Sequence, residues 1–367
     1  MPAPTVLTVN VGSSSLKLHQ VGPRDEVLGE RTVEAAEEPE AALGEFLAEF
    51  GDPDAIGHRI VHGGSEFTKP VIVDEATETG LERLTDLAPL HNPPALAALR
   101  AALRLRPAIP NVGCFDTAFH ATLPKAAATY ALPESWTRRW ELRRFGFHGL
   151  SHAYAARRAA ELLDRPLEQL RLVTAHLGAG ASLAAIDGGP SVDTTMGFTP
   201  LDGLVMATRS GSVDAGLVLW VQRHGNLNPA STEQALEHEA GLLGLSGRSG
   251  DMREILAGVE AGDQRCLLAF DVYTHRLAGS VAAMATSLGS IDALVFTGGV
   301  GENQPPVRAA ACRRLQLLGL MLDPQANEAA AGDALISGPD ANPAALVVTA
   351  REELEIAAAT RAALRER

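Results

Sequence analysis

Apolar and polar residues alternate near the start of the chain: Leu7, Val9 and Val11 against Thr8 and Asn10, with Leu16 and Leu18 resuming the pattern after Gly12, Ser13, Ser14 and Ser15. A period of two with one apolar face predicts a strand, and two such strands around a glycine turn predict a hairpin. The second half starts over in the same way, with "LRLVTAHLGAGASLAAIDGG" again giving an apolar strand, a small-residue turn and an apolar return strand. Other stretches carry helical spacing. In "EAAEEPEAALGEFLAEF", Leu43, Phe46, Leu47 and Phe50 fall on one face and the glutamates on the other. "DAIGHRIVHGG" and "NVGCFDTAFH" read as short strands, while "LAPLHNPPALAALRAALRLRP" and "RRFGFHGLSHAYAARRAAELL" each open a helix. "LAGSVAAMATSLGSIDALVF" predicts a buried helix running into a buried strand, followed by the glycine loop "GGVGEN" and the helix "PPVRAAACRRLQLLG". The elements make an α/β chain, and the repeated hairpin suggests a duplicated domain, each copy supplying one turn to a shared cleft.

Length agrees with two domains, because 367 residues exceed the size at which one hydrophobic core keeps growing. Hydrophobic residues at 46% and charged ones at 21% describe a water-soluble globular chain, and aromatics at 4% leave little for stacking bases. A net charge of −14 argues against nucleic acid or an anionic membrane as partner, so an anionic substrate must meet local Arg and Lys. "MPAPTVLTVN" lacks the basic and apolar regions of a signal peptide, and the apolar runs are too interrupted to span a membrane, so a cytoplasmic location is expected. Cys114, Cys266 and Cys312 are odd in number and widely spaced, which suits core packing in a reducing compartment.

The turns carry the candidate chemistry. Gly12, the serines and Lys17 offer backbone N–H groups, small hydroxyls and one ammonium, the groups a phosphate chain needs if backbone is to approach it closely. "HLGAGAS" is a second such turn, and "GGVGEN" before a helix is a third, binding anions through free N–H groups and the helix dipole. Neither the dinucleotide-binding spacing nor the GxxxxGK[ST] pattern is present, so a nucleotide site rests on three dispersed loops. The pairs His58/His62 and His148/His152 are spaced like metal ligands, but the glutamate of HExxH is missing from both.

Taken in order, "VNVGSSSLK", "GHRIVHGG", "LAPLHNPPAL", "FDTAFH", "FGFHGLSH", "HLGAGAS", "DTTMGFTPLDGLVMATRSG", "GLLGLSGRSGDMRE", "FTGGVGEN" and "REELEIA" resemble the acetate kinase (acetokinase) family, within the larger group of acetate and sugar kinases, Hsp70 and actin. The resemblance runs nearly end to end. Members are usually longer, and the shortfall falls between Lys17 and Arg59. It implies an α/β fold of two duplicated actin-like (ribonuclease H-like) domains with a nucleotide cleft between them. Residues 1–119 plus 353–367 would form the first domain and 120–352 the second, with the last helix returning to the first. The implied reaction is Mg2+-dependent, reversible phosphoryl transfer from ATP to acetate giving acetyl phosphate and ADP, with Mn2+ as a substitute metal; the alternatives are propionate or another short-chain carboxylate, and a nucleotide-binding regulator on the same fold. A homodimer through the second domain is implied as well.

Residue by residue, the resemblance gives Arg59 to the substrate, and Arg209 and His148 to the transferring phosphoryl group. A guanidinium fork grips carboxylate or phosphoryl oxygens bidentately, which lysine cannot do. Asp116 matches the family's proton donor or acceptor. An ionised carboxylate acceptor needs no base, so Asp116 is expected instead to orient magnesium waters or Arg209. Asn10 and Glu352 match the metal ligands. Ser13, Ser15 and Lys17 in the first turn, and His176, Leu177, Gly178, Ala179 and Gly180 in the second, face the phosphates. Asp251, Met252 and Arg253, with Gly299, Val300, Gly301, Glu302 and Asn303, make the adenosine side. Val61, Leu90, His91, Phe147 and Pro200 line the acetate pocket, and Val61 favours acetate because one methylene discriminates by about 1–3 kcal/mol.

Some positions depart from the family pattern. Ala179 stands where an asparagine is usual, a lost hydrogen bond worth about 1–3 kcal/mol if the contact is direct. Ser212 replaces an aspartate, Ala215 a proline, and Ala350 and Arg351 precede Glu352 where Thr-Asn or Thr-Asp is usual.

Overall fold

The computed structural model describes residues 3–12, 15–34, 38–89 and 91–366. It divides into two compact units: Met1–Ala121 with Phe147–Tyr154 and Arg351–Arg367, and Thr122–Gly146 with Ala155–Ala350. Each is built on one six-stranded sheet.

In unit 1 the strands are β1 (Val6–Val11), β2 (Ser15–Val21), β3 (Val27–Glu34), β4 (Ala55–Ile60), β5 (Val71–Ile72) and β6 (Asn111–Phe115), in spatial order β3-β2-β1-β4-β6-β5. β1 runs antiparallel to β2 and parallel to β4, and β4 runs parallel to β6. β1 is buried on both faces, as a central strand must be. One face is covered by the helices Pro39–Phe50 and Asn92–Leu105, through Leu43, Phe46, Leu47, Ala98 and Ala102. Leu43, Phe46 and Leu47 are the helical stripe read from the sequence, with Phe50 half-buried at its end. The helix Glu352–Arg365 packs with Ile356 and Ala357 against β-strand residues Val112, Cys114, Val6 and Val21. The last helix therefore belongs to the unit that contains the first strand.

Unit 2 has β7 (Arg171–Leu177), β8 (Ala181–Asp187), β9 (Ser191–Thr194), β10 (Ala293–Thr297), β11 (Ala334–Leu335) and β12 (Ala344–Val347), in order β11-β12-β10-β7-β8-β9. Read from the opposite end this is the order of unit 1, strand for strand. The parallel and antiparallel pairings also match, so the fold is a duplicated α/β, actin-like one. The helix Gln264–Leu288 lies on this sheet and leads to β10, in keeping with the buried helix and buried strand read from that stretch.

One expectation changes. "GGVGEN" is not a loop but a helical turn of its own, Gly298–Asn303, followed at once by the helix Pro305–Arg314. Two prolines suit the first positions of a helix, where their missing N–H groups have no intrahelical acceptor. They start a second helix there without forbidding the short one before it. All three cysteines are buried and unbridged, in keeping with a packing role.

Candidate active site

In unit 1 the ends of β1, β4 and β6 bring together residues far apart in sequence. Asp116 follows β6, is 1% exposed, and accepts three hydrogen bonds from the Arg59 fork, Nη2 at 2.7 Å and Nε at 3.1 and 3.2 Å. Arg59 Nη1 donates to the side-chain oxygen of Asn10 at 3.0 Å and stands 3.7 Å from Glu352. Asn10 in turn donates its amide to Glu352 at 2.8 Å. The backbone N–H of His148 completes the series by donating to Asp116. Glu352, Asn10, Arg59, Asp116 and His148 thus form one continuous hydrogen-bonded chain.

The electrostatics follow from burial and pairing. Burial opposes the charge on Arg59, but Asp116 and Glu352 outweigh it, and the guanidinium holds its proton more tightly than an ordinary arginine. Burial raises the Asp116 carboxyl above the usual carboxylate range, and the Arg59 charge and hydrogen bonds pull it back. Within unit 1 the partner of Asp116 is Arg59.

His148 is held in an uncommon backbone state, with φ of 56°. Left-handed non-glycine residues cost energy and cluster at functional sites. The cause here is local. Gly149, which opens the helix Gly149–Leu162, sits so close to the Asp116 carbonyl that a Cβ would collide with it, and its N–H donates to that carbonyl at 3.1 Å. Phe147 is buried, its ring edge-on to His62 at 5.4 Å and its carbonyl 3.1 Å from His120 Nε2. Val61, which precedes His62 in the chain, is buried, and His91 immediately precedes the helix Asn92–Leu105. Ser15 is half-buried, and Lys17, the register partner of Asn10 across the hairpin, is exposed. Ser13 and Leu90 lie outside the described residues.

Unit 2 carries the second turn. Gly178 donates to Gly180 at 2.9 Å, and the carbonyl of the exposed Ala179 accepts from Ala207 at 3.1 Å, so the turn is tied by backbone to the segment that bears Arg209. His176 and Leu177 end β7; Leu177 is fully buried and its side chain belongs to the core. Arg209 Nε lies 2.8 Å from Glu237. Asp251 caps the helix Met252–Glu260 and forks onto Arg253, with Nη2 at 2.5 Å, while Met252 is buried. Arg253 is exposed and Asp251 half-buried. In the turn Gly298–Asn303, Gly299 and Asn303 are exposed and Val300 is half-buried. Glu302 accepts from the Ala350 and Gly298 amides, and burial raises its carboxyl. Pro200 is half-buried.

Two residues that sequence reasoning missed hold these segments. Arg308 is fully buried and donates to the carbonyls of Gly301 (2.9 Å), Glu302 (2.7 Å) and Asn327 (2.6 Å), and to the Asn327 side chain. Such carbonyls at a helix end lack intrahelical donors, and Arg308 supplies them. Nothing in "PPVRAAACRR" separates Arg308 from Arg313 and Arg314, since only tertiary packing buries it. The second residue, Glu237, belongs to no sequence motif read above. The unusual residues also find partners: Ser212 donates to Asp202 at 2.6 Å and accepts from Gly203 at 3.0 Å, and Arg351 pairs with Glu353.

Residues 44–358 match the model of the acetokinase family. The chain belongs to the acetokinase family. It is 50% identical over 316 residues to an acetate kinase of Synechococcus sp. (strain JA-2-3B'a(2-13)), covering 86% of this chain and 78% of the relative. The crystal structure of Porphyromonas gingivalis acetate kinase superposes with a TM-score of 0.91 at 36% identity, over 99% of this chain and 100% of that one. A propionate kinase from Francisella tularensis subsp. tularensis SCHU S4 gives 0.90 at 34% identity, over 98% and 99%. Membership in the acetokinase family makes the protein a kinase whose phosphoryl acceptor is a carboxyl group, working with ATP or ADP and a divalent metal. Among the described residues no helix is long and apolar enough to cross a membrane.

Proposed function

We propose that this acetokinase-family protein transfers the γ-phosphoryl group of ATP directly to acetate, reversibly, giving acetyl phosphate and ADP. The observation that carries the reading is the Glu352–Asn10–Arg59–Asp116–His148 chain, which fixes a forked guanidinium at the ends of the central strands. An acetate oxygen forms a bond to the γ-phosphorus as the bond from that phosphorus to the β,γ-bridging oxygen breaks, and the electron pair leaves with ADP. Both reactants are anions, so the protein's task is to bring positive charge to them and to align them. Arg59 holds the acetate carboxylate, with its own orientation set by Asp116. His148 and Arg209 stabilise the transferring group, and Lys17 and the two turns take the other phosphates. Asp116 takes no proton from acetate, which carries none at neutral pH; its oxygens are occupied by Arg59 and the His148 N–H.

Magnesium keeps much of its water and binds through one or two protein oxygens together with substrate phosphates. Glu352 and the amide oxygen of Asn10 fit that sparse demand, and among the described residues no cluster of three or more His, Cys, Asp or Glu side chains offers a closed metal cage. When bound there, the ion would offset phosphate charge. Val61, buried at the pocket position, favours acetate over propionate.

Trapping the acyl phosphate as hydroxamate, with ATP, Mg2+ and either acetate or propionate, tests the reading. Acetate is expected to give the higher kcat/KM and Arg209→Ala to lower the signal about 10³-fold, leaving a small measurable rate. ATP binding without acyl phosphate from either acid would overturn it.

The second copy in a homodimer is placed on the helix Ala215–Gly225. This helix buries none of its residues, and Leu217, Leu219 and Trp220 are each more than half exposed. A contiguous apolar patch of this kind marks an association surface. Trp220→Glu is expected to halve the mass measured by light scattering; a wild-type monomer, or an unchanged dimer in the variant, would refute the assignment. The cytoplasm, where thiols stay reduced, suits three buried unbridged cysteines.

A further inference from the structure

Arg209 is held by an unusual element. Residues Ala235–Glu239 form a single π-helical turn between the helices Pro229–Gln234 and Gly241–Ser246. Turns of this kind are rare, insert an extra residue into helical backbone, and concentrate at functional sites. Here the turn grips each residue of the segment Thr208–Ser210. The Thr208 hydroxyl donates to the Glu237 carbonyl at 2.8 Å, and the Ser210 N–H donates to the Leu236 carbonyl at 3.1 Å. The Ala240 N–H, just past the turn, donates to the Thr208 carbonyl at 3.0 Å. Gly241 follows with φ of 59°, pressed against the backbone of Met206 and Arg209 where no Cβ fits.

At the centre of the turn Glu237 sends its carboxylate to Arg209 Nε at 2.8 Å, with both side chains less than one-fifth exposed. Glu237 is the only ion-pair partner of Arg209 among the described residues. A guanidinium held through Nε keeps its two Nη groups for an incoming anion. A flexible arginine must otherwise be ordered at the moment of reaction, and a prepositioned one has met that cost in advance.

We propose that Glu237 is a positioning residue for phosphoryl transfer, acting through Arg209; the inference rests on the reading that Arg209 meets the transferring phosphoryl group. The full-length protein is assayed as hydroxamate with Arg209→Ala, Glu237→Ala, Glu237→Gln and the double alanine variant, each with its melting midpoint. Glu237→Ala is expected to lower kcat about 10²-fold, as a small misplacement of a reacting group does. The KM values for ATP and acetate should stay within about twofold. Glu237→Gln, which keeps the shape and one acceptor oxygen, recovers part of the loss and serves if the alanine variant does not fold. In the Arg209→Ala background, removing Glu237 should change the remaining rate by less than about twofold. Loss in Arg209→Ala with wild-type kcat in both Glu237 variants sinks this inference alone, as do losses that multiply in the double variant. Wild-type kcat in Arg209→Ala sinks the role given to that arginine and the inference with it.

Discussion

Arg59→Lys is expected to lower kcat/KM for acetate by about 10³-fold, near the loss seen when one oriented donor is removed from a transition-state site. The charge is kept, so a simple electrostatic role would tolerate the exchange. The geometry would not. Arg59 uses Nε and Nη2 on Asp116 and Nη1 on Asn10, three directions fixed by one plane, and an ammonium on a flexible stem cannot reproduce them. Arg59→Ala adds a second effect, because Asp116 is buried and Arg59 is its ion-pair partner among the described residues. Leaving one member of a buried pair alone costs about 3–5 kcal/mol. Replacing Asp116 by alanine as well is expected to restore much of the stability and none of the activity. Rate assays and melting midpoints on the three variants decide the matter: wild-type kcat/KM in Arg59→Lys would show that the fork is not used.

Acid should loosen unit 1 well before it protonates most carboxylates. His58 in β4 is fully buried with Nε2 on the Asn111 oxygen at 2.7 Å and Nδ1 without a partner, and burial pushes it down from 6.5 to about 4. His120, equally buried, is also pushed down to about 4. In both cases the unfolded chain binds the proton more readily than the folded one. Their contribution is therefore fully present above pH 6.5 and is lost as pH falls towards 4, about 3 kcal/mol for each histidine. Tryptophan emission would miss the change, since Trp136, Trp140 and Trp220 all lie in unit 2. Hydrogen exchange of the β4 and β6 amides at pH 7 and 4.5, corrected for intrinsic rates, reports it directly. In His58→Gln the difference in opening free energy between the two pH values should shrink by about 2 kcal/mol. An undiminished difference would remove His58 from the account.

What the sequence disclosed and what it hid divide along the range of the contacts. The hairpins were legible because alternation is local, and the helical stripe of Leu43, Phe46 and Leu47 was legible because it repeats within three turns. Arg59, Asp116 and His148 stood out by motif, but their mutual arrangement did not. Arg59 and Asp116 are 57 positions apart and Asn10 and Glu352 are 342, and no pattern in one segment states which side chain in another it will meet. Arg308 and Glu237 were invisible for a related reason. Each is an ordinary charged residue on a helical stretch, and only the packed chain makes the first fully buried and gives the second Arg209 for a partner.

The return of the helix Glu352–Arg365 to unit 1 has a consequence for the order of synthesis. By the time a ribosome has added Ala350, every residue of unit 2 exists, while the sheet begun at Val6 still lacks the helix bearing Ile356 and Ala357. Glu352 is missing from the nascent chain as well, so Asn10 has no carboxylate to hold. The first hairpin made is among the last elements to be completed. A partly translated chain therefore lacks one link of the Glu352–Asn10–Arg59–Asp116–His148 series.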